Sequence, residues 1–136
     1  MKPKIARLLI TGYALVVPAI AHHSFSAEYD RDKPVSVTGV VSKVEWLNPH
    51  IWFYVDVKDA NGKVTTWGFS GGPPGMLMRR GITKNVLKIG DVVKVTGFMA
   101  KDASNNASSD SVTFADGRKV FTASGEEQAA TGQKGE

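Results

Sequence analysis

Histidine occurs at only three places in the 136-residue chain, positions 22, 23 and 50, and cysteine is absent. The first two follow "PAIA" (18–21), a stretch that reads as the end of an export signal. Cleavage after Ala21 would make His22 the first residue. An N-terminal histidine can close a chelate ring on one metal ion through its α-amine and its imidazole Nδ1. One further imidazole would complete a T-shaped set of three nitrogens, an arrangement that suits Cu(II), the strongest binder among the divalent first-row ions. His50 is the only histidine left to supply it. An α-amine titrates near about 8 and an imidazole near about 6.5, so protons compete only modestly at neutral pH. His23 offers a second mode, in which the amine, the intervening backbone nitrogen and its own imidazole wrap one Cu(II) without a distant partner. The candidate metal ligands are therefore His22, His23 and His50, with copper the expected ion. The plainer reading is two solvated starting residues and a turn histidine resting on Trp46 or Trp52. A structural zinc site would want four closed ligands. Met76 and Met78 are soft donors for Cu(I), but methionines beside a short helix more often fill a core.

The cut itself has support in the residues before it. Lys2, Lys4 and Arg7 form a positive start, "LLITGYALVV" (8–17) an apolar centre, Pro18 a helix break, and Ala19 and Ala21 the small residues a signal peptidase requires. The apolar run is shorter than the ~20 residues of a membrane-spanning helix. The expectation is a signal peptide over 1–21, cut between Ala21 and His22, a periplasmic or secreted product, and no stable membrane anchor afterwards. Removing three cations and no acid lowers the formal charge from +4 to +1. That leaves no basic field of the kind a nucleic-acid binder needs. The lack of cysteine excludes thiolate metal sites, CxxCH haem attachment, thiol nucleophiles and disulfides together.

Other chemistries find little. "SGGPPG" (70–75) lacks the Gly-Lys-Ser/Thr ending of a phosphate loop, and its prolines remove amides a phosphate would need. Ser24 and Ser70 have no nucleophile–base spacing with the histidines, and Glu28, Asp30, Asp32 and Glu45 read as solvated charges. No catalytic residue is assigned, and the chain is expected not to be an enzyme. A ligand-binding surface is expected instead from Trp46, Trp52, Tyr54 and Trp67, with Arg79 and Arg80 as anion contacts. Trp52 and Tyr54 share a strand face opposite the aliphatic residues. The alternatives are that strand curvature buries both faces and that the arginines merely complement a helix dipole. The partner is then a metal ion or, on the second reading, an envelope component: a glycan, peptide or protein.

These residues need elements to hold them. "AEYDRDKP" (27–34) is polar, and 22–34 reads as an N-terminal arm. "VSVTGVVSKVEW" (35–46) alternates and changes phase near Gly39, with Val35 and Val37 on one parity and Val40, Val44 and Trp46 on the other, which predicts a bulge or bend. "LNPH" is a turn, "IWFYVDVK" (51–58) a strand, "DANG" a hairpin loop and "KVTTWGFS" (63–70) the return strand. "GMLMRR" is a turn or two of helix ended by Gly81, followed by a connection that buries Val86, Leu87 and Ile89. "VVKVTGFMAK" (92–101) is another strand, "DASNNASSD" (102–110) a loop, and 111–124 a small hairpin around Ala115-Asp116-Gly117. The tail 125–136 has almost nothing apolar and is expected to be disordered. One bent strand, a meander, a helix and further strands is the order of an OB-like Greek-key barrel of five to six strands over 35–124. A small β-sandwich is the competing all-β arrangement.

"HHSFSAEYD", "GVVSKVEWLNPHIWFYVDVKDANGKVTTW", "LMRRGITKNVLKIGDVVKVTGFMAKDAS" and "DGRKVF" together resemble a family of small exported bacterial proteins of unknown function. The double histidine and the W-x-N-P-H element of Trp46 to His50 are its most specific pieces. The resemblance implies an exported OB-like barrel and brings no activity with it. Ile82, where an aromatic often follows "RRG", and Ala103, in place of a glycine, depart from the pattern.

Overall fold

The computed structural model describes residues 25–124. The expected signal peptide and cut, His22 and His23, and the tail 125–136 lie outside the described residues. Within them the order is α1 (Phe25–Glu28), β1 (Tyr29–Glu45), β2 (Trp52–Lys58), β3 (Val64–Ser70), α2 (Pro74–Arg79), β4 (Val92–Ala100), β5 (Asn106–Phe114) and β6 (Lys119–Phe121). β1 pairs antiparallel with both β2 and β4, β2 with β3, and β4 with β5. β3 then pairs parallel with β5 through Gly68↔Asn106, Phe69↔Ala107 and Ser70↔Ser108. That last pairing closes β1–β2–β3–β5–β4 into a barrel-like ring, with a short helix between its third and fourth strands. The result is the OB-like arrangement and sets the sandwich aside.

The core is the ring's interior. Phe53 and Phe69 stack at 5.5 Å and lie fully buried with Ile51, Val41, Val55, Val93, Val95, Val112 and Leu77. Burying a side chain of this size stabilises by about 1.5–3 kcal/mol, which explains how a chain without disulfides closes a barrel. The buried hydroxyls of β5 are matched: Ser111 shares a hydrogen bond with Thr96 at 2.8 Å, and Ser109 one with Thr122. Among the described residues no buried side-chain nitrogen or oxygen lacks a partner. α2 begins with Pro74 in its first turn and ends in a Schellman arrangement, with the Ile82 amide donating to Leu77 O and the Gly81 amide to Met78 O, both at 2.9 Å. Gly81 takes φ +80°, which a side chain would resist.

Several local expectations change. β1 starts at Tyr29, inside the stretch read as an arm. Its first pairs, Tyr29↔Ala100 and Pro34↔Phe98, enclose an irregularity that takes up the charged residues 30–33. The change of phase in β1 falls between Val41 and Lys43, so Val41 is fully buried and Val40 is exposed. Ile89 is 73% exposed, because the Asp91 amide donates to Lys88 O and places Ile89 at the tip of a turn. The stretch 106–110, read as loop, is the first half of β5. Its small residues Ala107, Ser108 and Ser109 are buried where β5 meets both β3 and β4. A single turn of helix, α1, adds to the one helix expected.

Candidate functional site

His50 stands at the end of the corner that joins β1 to β2, just after a cis Asn48–Pro49 peptide. The corner is locked onto the residues that follow β3. The Gly71 amide donates to Ile51 O at 2.9 Å, the Ile51 amide to Gly72 O at 3.3 Å, and the Gly72 amide to Thr122 O at 2.8 Å. Ile51, fully buried, anchors the corner from below. The exposed imidazole of His50 lies 2.9 Å from Gly71 O through Nδ1. A carbonyl can only accept, so Nδ1 carries a proton, and in the neutral ring the lone pair lies on Nε2. Nε2 has no partner among the described residues. An imidazole whose second nitrogen is held by a backbone carbonyl is how proteins commonly orient a metal-ligating histidine.

The start of β1 is tied to the residue next to Gly71. The Tyr29 hydroxyl lies 2.6 Å from Ser70 Oγ, one residue before the carbonyl that holds His50. Phe25 packs on Tyr29 at 5.4 Å and edge-on to Phe98 at 5.9 Å, and the Arg31 guanidinium covers its ring at 4.8 Å. The Lys101 amide donates to Glu28 O at 2.9 Å, and Lys101 Nζ to Ser26 O at 2.6 Å. The chain is thus fixed three residues after His22, on the flank that carries Ser70. Three residues span at most about 10–11 Å. Tyr29, Ser70 and Gly71 have no signature in the sequence: a tyrosine in a charged arm and a glycine pair after a strand gave no hint that they position a histidine.

The aromatic residues separate into two groups. Trp52 and Tyr54 point outward from β2, half-buried, with ring centroids 6.5 Å apart and planes 25° apart. Lys43 and Glu45, opposite them on β1, complete this face. Lys43 Nζ meets Glu45 Oε1 at 2.6 Å and stands 5.3 Å from the Tyr54 ring centroid, and the Tyr54 hydroxyl donates to Glu45 Oε2 at 3.2 Å. The hydrogen bond from Lys43 holds the Glu45 carboxyl below the ordinary carboxylate range and raises the Lys43 ammonium in return. Partial burial, then the bond to Glu45, pushes the Tyr54 phenol up. Trp46 and Trp67 instead pack against the core, Trp67 beside Phe69 at 6.3 Å. Arg79 is exposed on α2, and Arg80 donates to Ala123 O at 3.3 Å, away from the aromatic pair. Met76 packs on the core, whereas Met78 is 57% exposed. Among the described residues no three histidine, cysteine, aspartate or glutamate side chains cluster as a metal site.

Residues 12–109 match the family of unknown function DUF6152. The chain belongs to this family. The matched span takes in His22, His23, the 46–50 corner and the aromatic face, and it ends within β5, so β6 lies beyond it. No curated protein and no solved structure matches the chain.

Proposed function

We propose that this protein is an exported, non-enzymatic module that binds a copper ion between its processed N-terminus and the His50 corner. In this reading His22 supplies the α-amine and Nδ1, and His50 supplies Nε2. The observation that carries it is the Nδ1–H bond from the exposed His50 ring to Gly71 O, next in sequence to the Ser70 that bonds Tyr29 of the arm. His23 is the internal competitor, since the amine, the backbone nitrogen and its ring can hold Cu(II) alone. Mass spectrometry of the protein recovered from cells should find His22 first; any start upstream of it removes the amine chelate. Cu(II) titration followed by its d–d absorption should then weaken in both His22→Ala and His50→Ala. Loss in His23→Ala with His50→Ala unaffected assigns the ion to the arm alone. Unchanged binding in all three variants ends the proposal.

The outward Trp52–Tyr54 pair favours a second reading, an envelope interaction module that takes a glycan, peptide or protein on this face. Its mark would be a ligand that shifts tryptophan emission in the wild type and in His50→Ala alike but not in Trp52→Ala.

A further inference from the structure

The outward aromatic face carries more than its two rings. Cross-strand partners project to one side of a sheet, and the register sets two rows across this face. One runs Glu45–Trp52–Ser70, the other Lys43–Tyr54–Gly68–Asn106, from β1 to β5. Gly68 is the gap in the second row. Tyr54 Cε1 and Asn106 Oδ1 both lie within 3.3 Å of the point where a Cβ would stand, so ring edge and amide meet over the bare glycine. Among the described residues the half-buried Asn106 amide makes no side-chain hydrogen bond. We infer that this face is a subsite for a neutral oligosaccharide, a proposal that rests on the second reading, the interaction module, and names its ligand.

Each group meets a part of a sugar. The planes of Trp52 and Tyr54 differ by 25° with centroids 6.5 Å apart, so they offer nearly parallel faces to the C–H sides of pyranose rings. At the edge of Tyr54, Asn106 supplies an amide that both donates and accepts, as a hydroxyl does. The charges of the face are already engaged: Glu45 by Lys43 and the Tyr54 hydroxyl, and Asp56 Oδ1 by the hydroxyls of Ser42 at 3.2 Å and Thr66 at 2.6 Å. One cation and two matched acids give a polyanion nothing to hold. The other occupants fit this face less well. An extended peptide adds to a free sheet edge, but β2 lies between β1 and β3, and β3 between β2 and β5. The centre of a protein interface is depleted of Lys, Glu and Ser, and here Trp52 sits between Glu45 and Ser70, with Lys43 beside Tyr54. In OB barrels the corresponding strands and their loops do take oligosaccharides.

The test is calorimetric titration of the protein, purified as the cell leaves it, with cellohexaose, maltohexaose and chitohexaose. At least one should bind below about 10 mM, with an affinity that holds as sodium chloride rises from about 0.05 to about 0.5 M. In the wild type, amide shifts should move in 52–54, 68–70 and 106–108 and stay still in β6. That map needs no variant, so it decides the matter even where a substitution unfolds the chain. Tyr54→Ala should weaken binding about ten-fold, whereas Tyr54→Phe, which keeps the ring, should bind like the wild type. Asn106→Ala should cost about five-fold, the worth of one hydrogen bond. His50→Ala should bind unchanged, since the face does not use that ring. Binding to none of the three sugars overturns the inference, while the second reading keeps its own Trp52→Ala test with a peptide or protein. Binding only to an anionic heparin hexasaccharide, lost at high salt, overturns the neutral class. Shifts that map away from 52–54, or wild-type affinity in both Tyr54→Ala and Asn106→Ala, overturn the site itself.

Discussion

Gly97→Ala against Gly75→Ala is the sharpest test of the closed ring. A Cβ at Gly97 would fall 1.7 Å from Ser108 O and 2.8 Å from Ser108 C, both backbone atoms of β5. Real contacts of this kind need about 3.5 Å, so β4 and β5 would have to part by well over an ångström. β4 cannot simply retreat, because its other edge is paired to β1 at Val35↔Gly97. Opening the seam sacrifices about two ladder bonds worth about 1 kcal/mol each, and forced overpacking adds about 1–3 kcal/mol. The expected loss is about 3–5 kcal/mol, a large part of the roughly 5–15 kcal/mol that holds a typical domain. At Gly75, in α2, the nearest atom to a new Cβ is Arg79 Nη1 at 3.7 Å, an ordinary contact. Alanine there should gain about 0.5–1 kcal/mol. The same substitution changes the unfolded chain equally at both sites, so the difference reports the folded state alone. Urea unfolding followed by tryptophan fluorescence should separate the two midpoints widely at similar slope. Stabilities within about 1 kcal/mol of each other would mean that β4 and β5 are not pinned from both sides.

Three further outcomes follow from named contacts. Phe69→Ala removes a fully buried ring stacked on Phe53 and should cost about 3–5 kcal/mol in the same urea assay. Tyr29→Phe deletes the hydroxyl bond to Ser70; it should cost about 1 kcal/mol and speed amide exchange in residues 25–29 while leaving β2 and β3 protected. In Lys43→Met the Glu45 carboxyl, followed by carbon NMR, should titrate closer to the ordinary range because its chief hydrogen-bond donor is gone. The sign is definite: Glu45 is depressed in the fold, so the small contribution of the pair fades as pH falls through its lowered value. Lys43 is raised, so the same contribution fades again as pH rises through its elevated value.

The parts of the fold that repeat were legible in the sequence, and the parts set by closure were not. Phe53 and Val55 alternate with Trp52 and Tyr54 on β2, and that period-two pattern gave the strand and its faces directly. Gly81 after "LMRR" gave the helix end. β5 was half missed because Asn106, Ala107, Ser108 and Ser109 carry no strand preference of their own. They are strand because two neighbours fix them and because only small residues fit there. Val40 and Val41 are chemically identical, so only the placing of the bulge decides which one faces the core. At the candidate site, His50 was legible by scarcity alone. Its tautomer depends on a carbonyl 21 residues away, which no local pattern encodes.

Closure also explains why arm and corner meet. β1 is 17 residues long, with Tyr29 at one end and, past Glu45, the His50 corner at the other. Cut between β3 and β5, the five strands of the ring would lie in the order β3-β2-β1-β4-β5. At about 4.8 Å per strand, β3 and β5 would then stand about 19 Å apart, with the arm on the β4 side and the corner on the β2–β3 side. The parallel β3–β5 pairing reduces that separation to one strand spacing, and the consecutive residues Ser70 and Gly71 come to hold Tyr29 and His50. An ion shared between arm and corner would therefore bridge the seam that closes the ring. Copper bound through both should raise the unfolding midpoint of the wild type and lose that effect in His50→Ala, whereas copper held by the arm alone should leave the midpoint where it was.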